Sequence, residues 1–441
     1  MRLYKKLLAK IGLYFIISAI ILFLTCIYTA WSLPRDLVLV EGEEYIYNVQ
    51  SVFPVKLNFD KEETVQLGRN QVKPKRKLQF SNSVLLKTLN KGSANLEIKL
   101  FGVIPLKLVK VNVVPNNKVV ACGNTVGVKL KLDGILVIGM GEVEAAGGYR
   151  VSPIKDTGIK PGDFILQVNR KIVNDISSLI EEINASEGKE MHLRYRSGDS
   201  FHDVQINPVK SIDDNNYHIG LWVRDNTAGI GTLTFYDPET TYFGALGHGI
   251  TDMDTGILIP VKWGEIIESN ILAIKKGENG VPGELKGIFA EDGDKLGSVT
   301  VNSSYGIYGQ LYGSAISEVP GKTYPIAVRS QIREGPATII ANIMGREVEE
   351  YSIEIQKVSM KSVKGSKGMV IKITDERLLE ATGGIVQGMS GSPIVQDGRI
   401  VGAVTHVLVN DPSRGYGIFI ESMIKEMYEN SIVQNIKANA S

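Results

Sequence analysis

Gly383-Gly384-Ile385-Val386-Gln387-Gly388-Met389-Ser390-Gly391-Ser392-Pro393 is the stretch on which the reading of this chain turns. A serine hydroxyl is a poor nucleophile unless a base takes its proton and fixed donors receive the charge that develops on the carbonyl it attacks. Glycines on both sides of the serine suit the second need. Lacking Cβ atoms, Gly388 and Gly391 can take backbone angles closed to other residues, so a tight turn can aim successive N–H groups at one point. Ser390 stands at the tip of that turn. Beyond it, Pro393-Ile394-Val395-Gln396, Asp397-Gly398 and Arg399-Ile400-Val401-Gly402-Ala403-Val404 read as strand, two-residue turn and strand, because Asp-Gly between apolar runs is a strong hairpin signal.

The pattern Gly-x-Ser-Gly-Ser-Pro followed by a hairpin resembles the nucleophile turn of chymotrypsin-like peptidases. In those enzymes the oxyanion donors are the N–H of the nucleophile and that of the glycine two before it, here Ser390 and Gly388. The resemblance implies a two-lobed β-barrel peptidase domain whose reacting groups lie where the lobes meet. The plain alternative is a glycine-serine turn joining two strands.

At 441 residues the chain is long enough for several domains. Its 46 glycines, 7% aromatics and recurrent short β-branched runs favour a mainly β architecture. A formal charge of +1 leaves no basic excess for a polyanion, which sets nucleic acid aside as a partner. At the N-terminus Arg2, Lys5, Lys6 and Lys10 precede an uncharged apolar run from Ile11 to Trp31. That is about the twenty residues a membrane-spanning helix needs. The basic end is expected to stay cytoplasmic and everything after Trp31 to be exported. The competing reading is a cleaved signal peptide. Cys26 and Cys122 cannot form a disulfide scaffold across that separation.

The expected organisation is a tail and membrane anchor over 1–32, a small β region over 33–116, a PDZ domain over 117–210 and a serine peptidase domain over 211–441. In the second of these, Lys73-Pro74-Lys75-Arg76-Lys77 reads as a solvated basic loop. In the third, Val126–Leu130, a turn at Asp133-Gly134, and Ile135–Ile138 precede Ser152–Asn169, a string that resembles the PDZ domains of bacterial peptidases. A helix from Ile176 to Ile183, with Asp175 as its N-cap, would line the peptide groove. Gly123-Asn124-Thr125-Val126-Gly127 is the candidate loop for a terminal carboxylate.

Five histidines are available as bases. His192, His202 and His218 fall in or beside the PDZ-like stretch. His248, in Gly244-Ala245-Leu246-Gly247-His248-Gly249, is flanked by small residues that let an imidazole stand clear of its backbone. His406 lies between apolar neighbours and reads as a structural histidine, so His248 is the expected base. The acid that would orient it is open among Asp252, Asp254, Asp375, Asp397 and Asp411, and Asp375 has an equal claim to a helix cap.

Taken together, the anchor, the PDZ-like stretch, Ala228-Gly229-Ile230-Gly231-Thr232, Gly244–His248, Lys372-Ile373-Thr374-Asp375 and Gly384–Pro393 resemble the stage IV sporulation protein B family, signalling serine peptidases of endospore-forming bacteria. The resemblance implies Ser390 as nucleophile, His248 as general base and Asp375 as the orienting acid, with no cofactor and no metal. It further implies export across the forespore membrane into the intermembrane space and self-cleavage. The protein substrate would be a membrane-bound inhibitor whose loss activates an intramembrane metalloprotease that processes a late sporulation sigma factor. Two other readings are an anchored, catalytically silent PDZ adaptor and an envelope quality-control peptidase, although in the latter the PDZ unit typically follows the peptidase.

Overall fold

A computed structural model describes residues 2–51, 53–68, 81–114, 116–289, 293–359 and 365–439. The basic cluster Lys73–Lys77 lies outside them. The chain forms two compact units, one of residues 1–118, 325–334 and 357–364, the other of 119–324, 335–356 and 365–441.

The first unit begins with the helix Arg2–Ser32, whose stretch Lys10–Ser32 has a mean hydropathy of 2.4 and is long enough to cross a bilayer. After it, Asp36–Val40 pairs in parallel with Ile104–Val114, which pairs antiparallel with Gly92–Leu100, which in turn pairs with Val55–Phe59. Alternate residues of these strands, among them Leu39, Leu96, Ile98, Val109 and Val111, point into one core, as the two-residue period of a strand requires.

The second unit is organised by two strands of sixteen residues, Thr125–Met140 and Leu221–Tyr236. They pair antiparallel from Met140 opposite Leu221 to Thr125 opposite Thr232. One end of this ribbon builds a separate core, where Ile135 and Val137 meet Ile165, Leu179, Ile183 and Leu193. The helix there runs Ile176–Ala185 and is capped as expected: Asp175 accepts from Ser178 N at 2.7 Å, closing a capping box, worth about 1 kcal/mol. Asp225, 6% exposed, accepts from Lys131 Nζ at 2.6 Å and from Ile176 N at 3.1 Å, tying the helix start to the ribbon.

The other end of the ribbon belongs to a barrel. Pairings run from Thr125–Met140 to Val261–Glu268, Lys295–Ser303, Gly306–Leu311, Tyr242–Ala245 and Leu221–Tyr236, then back to the first strand. Val126, Val128 and Leu130 pack inside it with Leu233, Phe243 and Ile266. The strands Gly335–Met344, Glu347–Val358, Met369–Ile373, Asp411–Phe419, Arg399–Leu408 and Pro393–Gln396 close a second barrel. The fold is therefore mainly β, with an apolar N-terminal helix, a PDZ-like body and two barrels.

Two expectations are corrected. Asp133-Gly134 is not a hairpin turn, because the same partner strand resumes beyond it: Lys131 lies opposite Asn226 and Leu136 opposite Arg224, so residues 132–135 bulge opposite Asp225, with Gly134 at φ +113°. The PDZ-like body also does not begin at 117, since Val120, Cys122, Val126, Val128 and Leu130 are packed in the first barrel.

Candidate active site

Ser390 precedes the second-barrel strand Pro393–Gln396 and His248 follows the first-barrel strand Tyr242–Ala245. The serine loop is two overlapping β-turns. Met389 N donates to Val386 O at 3.1 Å and Ser392 N to Met389 O at 3.0 Å. Their third positions are Gly388 at φ +100° and Gly391 at φ +102°, the sign that selects glycine there. A Cβ on Gly391 would stand 2.2 Å from Thr232 O, so this turn also needs glycine to seat against the first barrel.

Bonds to neighbouring elements fix the peptide planes of the loop. Gln387 O accepts from Leu285 N at 2.8 Å, and Thr232 Oγ1 donates to Gly388 O at 2.7 Å while Thr232 N donates to Ser390 O at 3.0 Å. A trans peptide points its N–H opposite to its carbonyl. Pinning Gln387 O and Met389 O therefore directs the N–H groups of Gly388 and Ser390 the other way. Among the described residues neither N–H has an acceptor. The Ser390 side chain is half-buried and its hydroxyl donates to Thr405 O at 2.6 Å.

The histidine loop opens on a strained turn. Gly247 N donates to Ala245 O at 2.8 Å across Leu246, whose φ is +67°. A branched residue in this three-residue turn is rare and costs about 1–3 kcal/mol. Gly247 follows at φ +69°, where a Cβ would press on Thr405 and Ile418 at 2.9 Å. Asn302 braces the other side, donating to Ile250 O and Ile259 O and accepting from Ile250 N, all within 2.9 Å. His248 Nδ1 lies 2.9 Å from Gly249 O. A carbonyl can only accept, so Nδ1 carries the proton and Nε2 keeps a lone pair. Burial holds His248 below the ordinary histidine range, partly offset by that same carbonyl.

His406 joins this site, contrary to the expectation of a purely structural histidine. Its ring centroid lies 4.9 Å from that of His248. The register of Arg399–Leu408 against Asp411–Phe419 slips between Val404 and Val407. Such a bulge re-aims the side chains it carries. Burial, and then the proximity of His248 and Lys367, push His406 down to about 4. The sequence carried a signal for it, since it is one of three histidines in the segment 211–441 that also carries Ser390, and of the other two His218 lies beside the PDZ-like stretch.

Among the described residues Asp375 makes no hydrogen bond or ion pair with His248. It caps the helix Glu376–Thr382 by accepting from Arg377 N at 3.1 Å, accepts from Ser352 N at 3.2 Å and pairs with the Arg377 guanidinium at 3.0 Å. That guanidinium, ahead of the other neighbours, holds its carboxyl below the usual range. Asp252 and Asp254 are held by Arg224. The group that holds the His248 tautomer in this structure is the Gly249 carbonyl.

The loop Gly123–Gly127 also serves elsewhere than expected. Gly123 N donates to Leu233 O and Gly123 O accepts from Asn342 N, while Val126 is fully buried in the first barrel. The groove beside the helix Ile176–Ala185 has a volume of about 560 Å³ and is lined instead by Leu179, Ile183, Ile219, Leu221 and Val223. Gly220, at φ +72°, opens its strand wall.

A catalytic-type serine turn and a tautomer-fixed histidine thus sit on two closed barrels, and the family model of the SpoIVB peptidases, S55, matches residues 215–424. Over that stretch the chain is similar to the SpoIVB peptidase S55 family. The matched stretch contains His248, Asp375, Ser390 and His406, whereas the strand Thr125–Met140, which completes the first barrel, lies outside it. Among solved structures, the crystal structure of the PDZ domain of the SdrC-like protein from Listeria monocytogenes is similar to part of the chain. It is 20% identical, covers 21% of this chain and 90% of that one, and has a TM-score of 0.17.

Proposed function

We propose that the chain is a membrane-anchored serine endopeptidase in which Ser390 is the nucleophile and His248 the general base. The observation that carries this reading is the pair of unspent N–H donors, Gly388 and Ser390, flanking a half-buried hydroxyl. In catalysis the Ser390 hydroxyl turns from Thr405 O to His248 Nε2, and serine-histidine bonds often form only in the complex with substrate. Oγ attacks the peptide carbonyl, Nε2 takes the proton, and the two N–H groups receive the oxyanion. The imidazolium then protonates the leaving amine, and water hydrolyses the acyl-enzyme. A proton on Nδ1 bonded to Gly249 O keeps Nε2 available throughout.

The resemblance to the stage IV sporulation protein B family supports a finer reading. The apolar helix holds the body on the exported side of the forespore membrane, and the enzyme cleaves itself. It also cuts a membrane-bound regulator of an intramembrane metalloprotease. The groove beside Ile176–Ala185 is suited to an extended peptide added as a strand to Leu221–Val223.

The hydroxyl held on Thr405 O favours a second reading, a catalytically silent PDZ adaptor. A fluorophosphonate probe separates the two. Labelling of the wild type that disappears in Ser390→Ala supports the peptidase, and no labelling of either supports the adaptor.

A further inference from the structure

The apolar helix does not end free of the body it precedes. Lys107 Nζ donates to Ala30 O at 3.0 Å and to Leu33 O, placing a cation at the carbonyl end of the helix, the favoured sign there. The parallel pairing of Asp36–Val40 with Ile104–Val114 sets Asp36 opposite Lys110. Followed back toward the N-terminus, this register brings Lys107 level with Leu33 and carries the strand further, alongside the helix. Ile104 is then roughly 10 Å below Leu33, at about 3.3 Å per strand residue. A helix rises about 1.5 Å per residue, so this depth corresponds to six or seven helical residues, near Cys26 and Ile27.

Burial along the helix agrees. Thr29 is buried and Leu22, Thr25 and Cys26 are half-buried, while Ile21, Phe23, Leu24, Ile27 and Tyr28 are exposed. The covered residues recur at the spacing of one helical face. These four residues lie in the C-terminal half of the apolar span Lys10–Ser32.

The end of the hairpin is built in an unusual way. Val103 N donates to Leu100 O at 3.0 Å around Phe101 at φ +53° and Gly102 at φ +76°. Such a turn takes Asn, Asp or Gly at its first centre, and a bulky residue there is a steric outlier. Phe101 is nevertheless 51% exposed, Val103 77% and Ile104 43%, and the Phe53 ring lies 5.4 Å from that of Phe101. In water this arrangement is penalised twice, for backbone strain and for apolar exposure. At the depth of Cys26 the same side chains meet acyl chains.

We propose that the tip Phe101-Gly102-Val103-Ile104 is a second membrane-inserted element, seated in the exported-side leaflet of the bilayer that the helix Lys10–Ser32 crosses. The proposal rests on the reading of that helix as a span. It gives the first unit two attachments to the lipid, one transmembrane and one interfacial, joined through Lys107.

The test uses the full chain with Cys26→Ser and Cys122→Ala, reconstituted in phosphatidylcholine vesicles. Single cysteines are introduced by Val103→Cys, by Phe23→Cys on an exposed face of the helix, and by Lys91→Cys just before the other end of the strand Gly92–Leu100. Each carries an environment-sensitive fluorophore. Lipids brominated on the acyl chain are expected to quench the labels at 103 and 23 at least severalfold more than the label at 91, which aqueous iodide quenches instead. If 23 answers to the lipid while 103 answers to iodide like 91, the tip is in water and the proposal fails with the anchor intact. If 23 itself answers to iodide, the span reading fails and the proposal falls with it.

Discussion

The loop around Ser390 and the helix start at Asp375, fifteen positions apart on either side of Gly384, spend their polar groups in opposite ways. At Asp375 the carboxylate accepts from Ser352 N, from Arg377 N and from the Arg377 guanidinium. At Ser390 the carbonyls on either side are fixed from behind, and two N–H groups are left without an acceptor among the described residues. Buried polar groups are otherwise nearly always paired. The contrast separates a fully paired cap from a turn that keeps two donors unspent among the described residues.

The largest effect that would sharpen the contrast is expected from Ser390→Ala. Peptide cleavage falls by about 10³-fold or more, with the melting temperature unchanged, since the only side-chain bond lost goes to Thr405 O. Cleavage at the wild-type rate would break it outright. Thr232→Val comes next, because it leaves Gly388 O without its donor. An unpaired buried carbonyl costs about 1–3 kcal/mol, and the freed peptide no longer holds its neighbour. A fall in kcat of about ten- to hundredfold, with KM little changed, is the expected steady-state result. Asp375→Ala is expected to cost about 0.5–2 kcal/mol through the lost cap, read as a lower midpoint in urea with unchanged slope. Loss of kcat without loss of stability would return Asp375 to the catalytic machinery.

The smallest effect concerns pH. His406 is held down to about 4, so between the ordinary histidine value of 6.5 and about 4 the unfolded chain binds the proton more readily than the folded one. The stabilisation is complete above 6.5 and is lost as pH falls through that window. Phe in place of His406 keeps a ring against His248 and removes the titration. The melting temperature of His406→Phe is therefore expected to fall less than that of wild type between pH 6.5 and 4.5. His248 is also lowered, so the acid limb of kcat/KM has its midpoint below 6.5.

Features carried by local chemistry were legible in the sequence. The positive φ of Gly388 and Gly391, the Asp397-Gly398 hairpin with both φ positive, and the caps at Asp175 and Asp375 each follow from the residue that stands there. Features that depend on which distant strand pairs with which were not. Val126–Leu130 and Ile135–Val137 share one apolar alternation, and nothing in their composition says that the first group faces a barrel and the second a PDZ core. The Asp133-Gly134 signal was overridden because the partner strand Leu221–Tyr236 holds the chain extended on both sides of it. His406 was legible as a histidine but not as a neighbour of His248, since a one-residue register slip, which sets Thr405 and His406 opposite a single residue, decides where it points.

The ribbon of Thr125–Met140 and Leu221–Tyr236 also bears on how the molecule can be divided. A fragment of residues 117–210 lacks the strand wall of its own groove, and one of residues 211–441 begins with a barrel short of a stave. The groove-bearing body and the barrel body are spliced through common backbone rather than threaded like beads. Only a piece that keeps residues 119–441 in continuity preserves both.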